Sequence, residues 1–159
     1  MLESAKSTVY LDATIPSFMF DDRESLQYPC EMTRKWWREE SGRYDIFVSR
    51  ETIAELSRGD YPKKEEVRRF VASLRALEPN TSIMAIAREY VKHMVMPADA
   101  TGDAAHLAYA SYYGMDFLLT WNCSHLANAR KRKHIETINL RLRLATPAII
   151  TPLELFGGT

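Results

Sequence analysis

The chain has 159 residues, 46% hydrophobic and 26% charged, an ordinary globular composition that allows one domain with its own core. Lys plus Arg and Asp plus Glu number 21 each, so no whole-molecule field draws the chain to nucleic acid or to a membrane surface. Recognition of a polyanion must therefore rest on a local patch or on a site.

Short β-branched runs alternate with helical patterns, and no Gly/Ser-rich linker, low-complexity tract or repeat interrupts them. This alternation predicts a single α/β domain over 1–159, built on a mostly parallel five-stranded sheet with helices on both faces. The first strand is expected at 7–11 and runs directly into Asp12. A short helix or turn at 16–20 follows, then a longer helix marked by Tyr28, Met32 and Trp36, with Gly42 at its C-terminal cap. A second strand is expected at 44–48, after which Ser49 caps a helix that runs through Leu56 and stops at Gly59.

Pro62 restarts a helix whose Val67, Phe70, Val71 and Leu74 recur at helical spacing, and a very short strand is expected near Leu77. Ile83, Ile86, Ala87, Tyr90, Val91 and Met94 mark the next helix, closed by Pro97. Residues 101–113 form an alanine-rich helix ending at Gly114, with small side chains that let it lie close to a sheet. A strand at 117–120, a helix within 126–142 and a last strand at 148–150 complete the pattern.

Cys30 and Cys123 share no metal-ligand spacing, and two isolated cysteines among seven methionines point to a reducing, cytoplasmic setting. No apolar stretch approaches the ~18 residues of a membrane span.

Parallel sheets bind ligands at the carboxyl ends of their strands, where strand order reverses. Asp12 and Asn122 are expected at that edge, with Asp103 in the first turn of the alanine-rich helix. Glu55 lies mid-helix after the second strand, on the same side as Glu51. Each has a structural reading when taken alone: a helix dipole favours Asp103, Arg58 can pair with Glu55, and asparagine suits a turn at 122. Gathered together, three carboxylates and a carboxamide would repel one another unless a hard cation, Mg2+ or Mn2+, screened them.

Four segments carry a specific resemblance: VYLDAT at 9–14, TIAELSRGD at 52–60, GDAAHLAYASYYGMDFLLTWN at 102–122 and CSHLANA at 123–129. In order and spacing they resemble the PIN-domain family, and within it the VapC-like ribonuclease toxins of toxin–antitoxin pairs. The resemblance implies a three-layer α/β/α PIN-like fold, a magnesium site and hydrolysis of RNA phosphodiester bonds. It maps the family's acids onto Asp12, Glu55 and Asp103 as catalytic and metal-holding residues. The family's common fourth acid falls on Asn122, whose neutral oxygen weakens metal attraction. The resemblance also implies an RNA substrate, a cognate antitoxin that covers the site, and a homodimer.

His106, one turn after Asp103, and His125 and Thr120, beside Asn122, are accessory candidates. Arg130, Lys131, Arg132 and Lys133 form the dense basic run, read as a solvated helix face or an RNA-backbone contact. Arg34, Lys35 and Arg38 flank Trp36 and Trp37, which read as core or partner interface. Tyr109, Tyr112 and Tyr113 are expected to contribute to an interaction face. The alternative function is a catalytically weak or inactive PIN-like module that binds RNA or protein. A haloacid-dehalogenase-type phosphatase wants a second aspartate where Thr14 stands, and no glycine-rich loop supports nucleotide binding.

Overall fold

A computed structural model describes residues 5–97 and 101–156. Its strands are β1 Ser7–Leu11, β2 Tyr44–Ser49, β3 Arg75–Leu77, β4 Phe117–Leu119 and β5 Ala148–Ile150. They form one sheet in the order β3-β2-β1-β4-β5, and every pairing is parallel. The sheet is thus entirely parallel, as the alternation of strands and crossover helices requires.

The helices are α1 Thr14–Phe20, α2 Gln27–Glu40, α3 Arg50–Ser57, α4 Lys64–Ala72, α5 Thr81–Lys92, α6 Thr101–Tyr112 and α7 Ala129–Arg141. Register aligns Tyr10 with Leu118 and Leu118 with Ile149, and one step on aligns Leu11, Leu119 and Ile150. Because strand side chains alternate, these two rows point to opposite faces. Tyr10, Leu118 and Ile149 pack with Ile83 and Tyr90 of α5, Ala104 and Leu107 of α6 and Ile135 of α7. Leu11, Leu119 and Ile150 pack with Ile15 of α1 and Trp36 of α2. The result is the expected three-layer arrangement, with a smaller cluster of Leu56, Val67 and Val71 joining α3 to α4.

Several boundaries differ from the sequence reading for local reasons. The buried face of α2 is Cys30, Thr33 and Trp36, while Tyr28 stands exposed. Gly42 does not cap α2; the chain continues into a 3-10 turn, Ser41–Arg43, that needs no left-handed residue. Helix α5 stops at Lys92 with His93 as its cap, before Pro97, so that Met94 adopts a positive φ and Val95 and Met96 tuck into the core. Helix α7 begins only after Asn128, whose side chain accepts from Arg130 N, since residues 122–127 are drawn into the loop around Asn122. Gly59 and Gly114 do adopt positive φ beyond α3 and α6, where a Cβ would be strained. Among the described residues no helix is long and apolar enough to cross a membrane.

Candidate active site

Strand order reverses between β1 and β4, because β2 and β3 lie on one side of β1 and β4 and β5 on the other. Asp12 leaves the end of β1, and Thr120, Trp121 and Asn122 leave the end of β4, so both segments open at that switch point. Asp12 is 2% exposed. One of its oxygens accepts from Thr14 N at 3.0 Å and Thr14 Oγ1 at 2.5 Å, and the other accepts from the Thr120 hydroxyl. The two threonines in turn accept from Trp121 N and Asn122 N, both at 2.9 Å. Thr120 therefore ties the β4 loop to Asp12, a sharper role than the accessory one expected of it.

Helix α6 brings Asp103 and His106 to the same edge, three residues apart on one helical face. Helix α3, capped by Ser49 as the sequence indicates, brings Glu51, Thr52 and Glu55. His106 is buried, with Nε2 3.1 Å from Glu55 Oε1 and Nδ1 2.6 Å from the Tyr10 hydroxyl. The Glu55 carboxylate lies over Gly102, where a Cβ would fall 2.1 Å from Oε1; Glu51 Oε1 is 3.9 Å from the same point. Asp12, Glu55 and Asp103 thus converge around His106, with Glu51 as a further acid that the sequence reading noticed on the helix face but left outside the site.

The Asn122 side chain is oriented by its partners. Its oxygen accepts from Ser124 N at 3.1 Å and His125 N at 3.0 Å, and its nitrogen donates to Asp103 Oδ2 at 3.0 Å. The oxygen expected as a neutral metal donor therefore holds the loop, and an amide N–H faces the acid.

Charge is distributed unevenly over the site. Burial raises the pKa of Asp12 above the ordinary carboxylate value, although His106 and the threonine hydroxyls oppose it. Asp103 is raised by burial and by Glu55, against His106, His125 and Asn122. Burial acts against the Glu55 charge too, but the His106 hydrogen bond and charge outweigh it and lower its pKa. Burial works to lower His106, yet Glu55, Asp12 and Glu51 together raise it. Burial thus disfavours the ionised forms of Asp12 and Asp103, a cost that a divalent cation at this crevice would relieve. Among the described residues no group of three His, Cys, Asp or Glu side chains is placed to hold a metal ion. The all-oxygen acids fit Mg2+ or Mn2+, which retain several waters and need few protein ligands. They do not fit a closed zinc site.

The remaining candidates separate clearly. His125 lies near enough to Asp103 to lower its pKa, and its Nδ1 is buried without a hydrogen-bond partner among the described residues. Arg130, Arg132 and Lys133 are exposed on α7, while Lys131 Nζ donates to Val95 O at 3.3 Å. Trp36 is core, its Nε1 donating to Leu155 O, and Arg34 donates to the carbonyls of Phe18, Met19 and Asp21 at the end of α1. Tyr109 is buried and stacked on Tyr10, Tyr113 is half-buried, and Tyr112 is exposed. Tyr10, Ser49 and Thr52 were missed as site residues. Strand period places Tyr10 on the same face as Asp12, a signal present in the sequence.

No protein-family model matches the chain, and no curated protein matches its sequence. Among solved structures, it is similar to a chain of VapBC2 from Rickettsia felis bound to a DNA fragment from their promoter. That likeness has a TM-score of 0.53 and 15% identity, and covers 91% of this chain and 98% of that one. It is also similar to a chain of VapBC-1 from nontypeable Haemophilus influenzae, with a TM-score of 0.52 and 16% identity over 74% of this chain and 89% of that one. These likenesses establish the PIN-like fold expected from the sequence.

Proposed function

We propose that this protein is a metal-dependent endoribonuclease of the VapC kind, the toxin of a toxin–antitoxin pair. The observation that carries the reading is the convergence of Asp12, Glu55 and Asp103 at the switch point of the sheet. The fold shared with chains of VapBC complexes supports it. Asp12, Asp103 and Glu55 would hold Mg2+ or Mn2+, with Glu51 within reach. When bound, such an ion supplies Lewis acidity, making water more acidic and offsetting phosphate charge.

The chain's own residues do the rest. Thr14 and Thr120 fix both oxygens of Asp12, leaving their remaining lone pairs directed by the fold rather than by solvent. Asn122 orients Asp103 through its amide. His125, half-buried beside Asp103, would meet a phosphate oxygen. The exposed Arg130, Arg132 and Lys133 follow the site loop directly and provide a path for an RNA backbone. By the same reading an antitoxin covers this crevice, and the chain pairs with a second copy.

Purified protein should cleave RNA with Mg2+ or Mn2+ and stop on addition of EDTA, and Asp12→Asn and Asp103→Asn should each abolish cleavage. Unchanged cleavage by both variants overturns the reading. The Asn122 amide beside Asp103 favours one alternative, a module that binds RNA or a partner without cutting, because the amide takes over part of the cation's work. Metal-independent RNA binding with no cleavage would establish that module instead.

A further inference from the structure

We propose that Tyr10 and His106 form a buried clamp that sets the position of the Glu55 carboxylate, making His106 a positioning residue of the acidic site. The clamp is continuous: Ser49 Oγ lies 2.7 Å and Thr52 Oγ1 3.3 Å from the Tyr10 hydroxyl, which meets His106 Nδ1 at 2.6 Å, and His106 Nε2 meets Glu55 Oε1 at 3.1 Å.

The directions of its hydrogens follow from the partners. A carboxylate only accepts, so Nε2 carries the hydrogen whatever the charge of the ring. The Thr52 hydroxyl donates to Leu11 O, and Ser49 Oγ already accepts from Glu51 N and Thr52 N, so the serine hydrogen is directed to Tyr10. Tyr10 then donates to Nδ1 of a neutral ring. Tyr10 also adapts to a charged ring by accepting from Nδ1 and donating to Thr52.

The placement argues for more than a satisfied core. Each element that brings an acid also brings a member of the clamp close by in sequence. Strand β1 carries Tyr10 and Asp12, helix α3 carries Thr52 and Glu55, and helix α6 carries Asp103 and His106. The network thus fixes the spacing of three elements that, among the described residues, no backbone hydrogen bond joins at this edge. Its outermost bond reaches a carboxylate whose side chain is still 25% exposed, where a free glutamate would sample several rotamers. Outer partners that orient a metal-holding carboxylate or histidine change metal affinity or activity by roughly 10–100-fold when removed.

The proposal rests on the nuclease reading only in taking Glu55 as part of the site, and its test has two arms. In histidine-labelled, metal-free protein, nitrogen NMR should show His106 protonated at Nε2, with the Nδ1 resonance displaced in Tyr10→Phe. A ring protonated at Nδ1 alone overturns the clamp. In Mn2+ titrations His106→Leu should weaken binding about tenfold or more, and Tyr10→Phe by less. His106→Gln, which keeps an N–H for Glu55, should recover most of the loss. In a Glu55→Gln background Tyr10→Phe should have no further effect. Equal losses with and without Glu55 would make the network merely structural and overturn the proposal. A wild-type chain that binds no Mn2+ and cuts no RNA overturns the nuclease reading, and the NMR arm still decides the clamp.

Discussion

Asp12 concentrates the physical tension of the site. Burial raises its pKa, so the folded chain keeps a proton at a pH where the unfolded chain has released it. The folded state then binds more protons than the unfolded one, and metal-free stability falls as pH rises from the ordinary carboxylate value through the raised one. Asp103 shifts in the same direction. Glu55 runs the other way: its stabilisation is present above the unfolded value and is lost as pH falls through the lowered one. Asp12→Asn removes the buried charge, so the EDTA-treated variant should melt above wild type at neutral pH, with the gap closing in acid; a thermal scan across pH measures it. Gly102 offers a second single-residue test. A Cβ there would fall 2.1 Å from Glu55 Oε1, and the flexible carboxylate end would yield before the helix does. Gly102→Ala should change the melting temperature little, because in the first turn of α6 alanine gains less than the ~1 kcal/mol of a helix interior and the displaced Glu55 loses its His106 bond. Its single-turnover cleavage should fall on the order of 10²-fold, because a displaced acid loses its working geometry.

Helix starts show how one local signal can serve different ends. Ser49 caps α3 by accepting from Glu51 N and Thr52 N, and its hydroxyl also meets Tyr10. Asn80, half-buried and far from the acids in the sequence, caps α5 by accepting from Ile83 N at 3.0 Å. Ser49→Ala and Asn80→Ala should each cost about 1 kcal/mol in denaturant unfolding. Only Ser49→Ala should also slow cleavage, and equal cleavage by the two would separate capping from the site. The Ser49 cap was legible because an N-cap is a property of a few adjacent residues, whereas the Asn80 cap is seen only in the structure. Helix ends were less so: α2 passes into the 3-10 turn Ser41–Arg43 without a glycine cap, and α5 stops before Pro97, so that Val95 and Met96 reach their burial. At α5 tertiary packing chose the end over the punctuating proline.

For the molecule as a whole, the sheet order matters most, since the reversal between β1 and β4 makes one crevice from segments 108 residues apart, joined by the Thr120–Asp12 hydrogen bond. An ion held there binds the folded chain and not the unfolded one. Mn2+ at about 100 times its dissociation constant should therefore add ~2.7 kcal/mol, a rise of roughly 5–10 °C in melting temperature. Asp12→Asn should lose that rise; an equal rise in the variant would place the ion elsewhere. The alternation of strands and helices, the place of Asp12 at a strand end and of Asp103 in a first helical turn, and the Ser49 cap were determined by the sequence alone, because periodicity, strand ends and capping are short-range properties. The roles of Asn122, Glu51, Tyr10 and His106 were not. Asn122 turns its nitrogen to Asp103 because two backbone N–H groups claim its oxygen, and His106 meets Tyr10 and Glu55 only once β1, α3 and α6 share an edge. Hydrogen-bond direction depends on which partners remain unsatisfied nearby, and only the folded chain decides who those neighbours are.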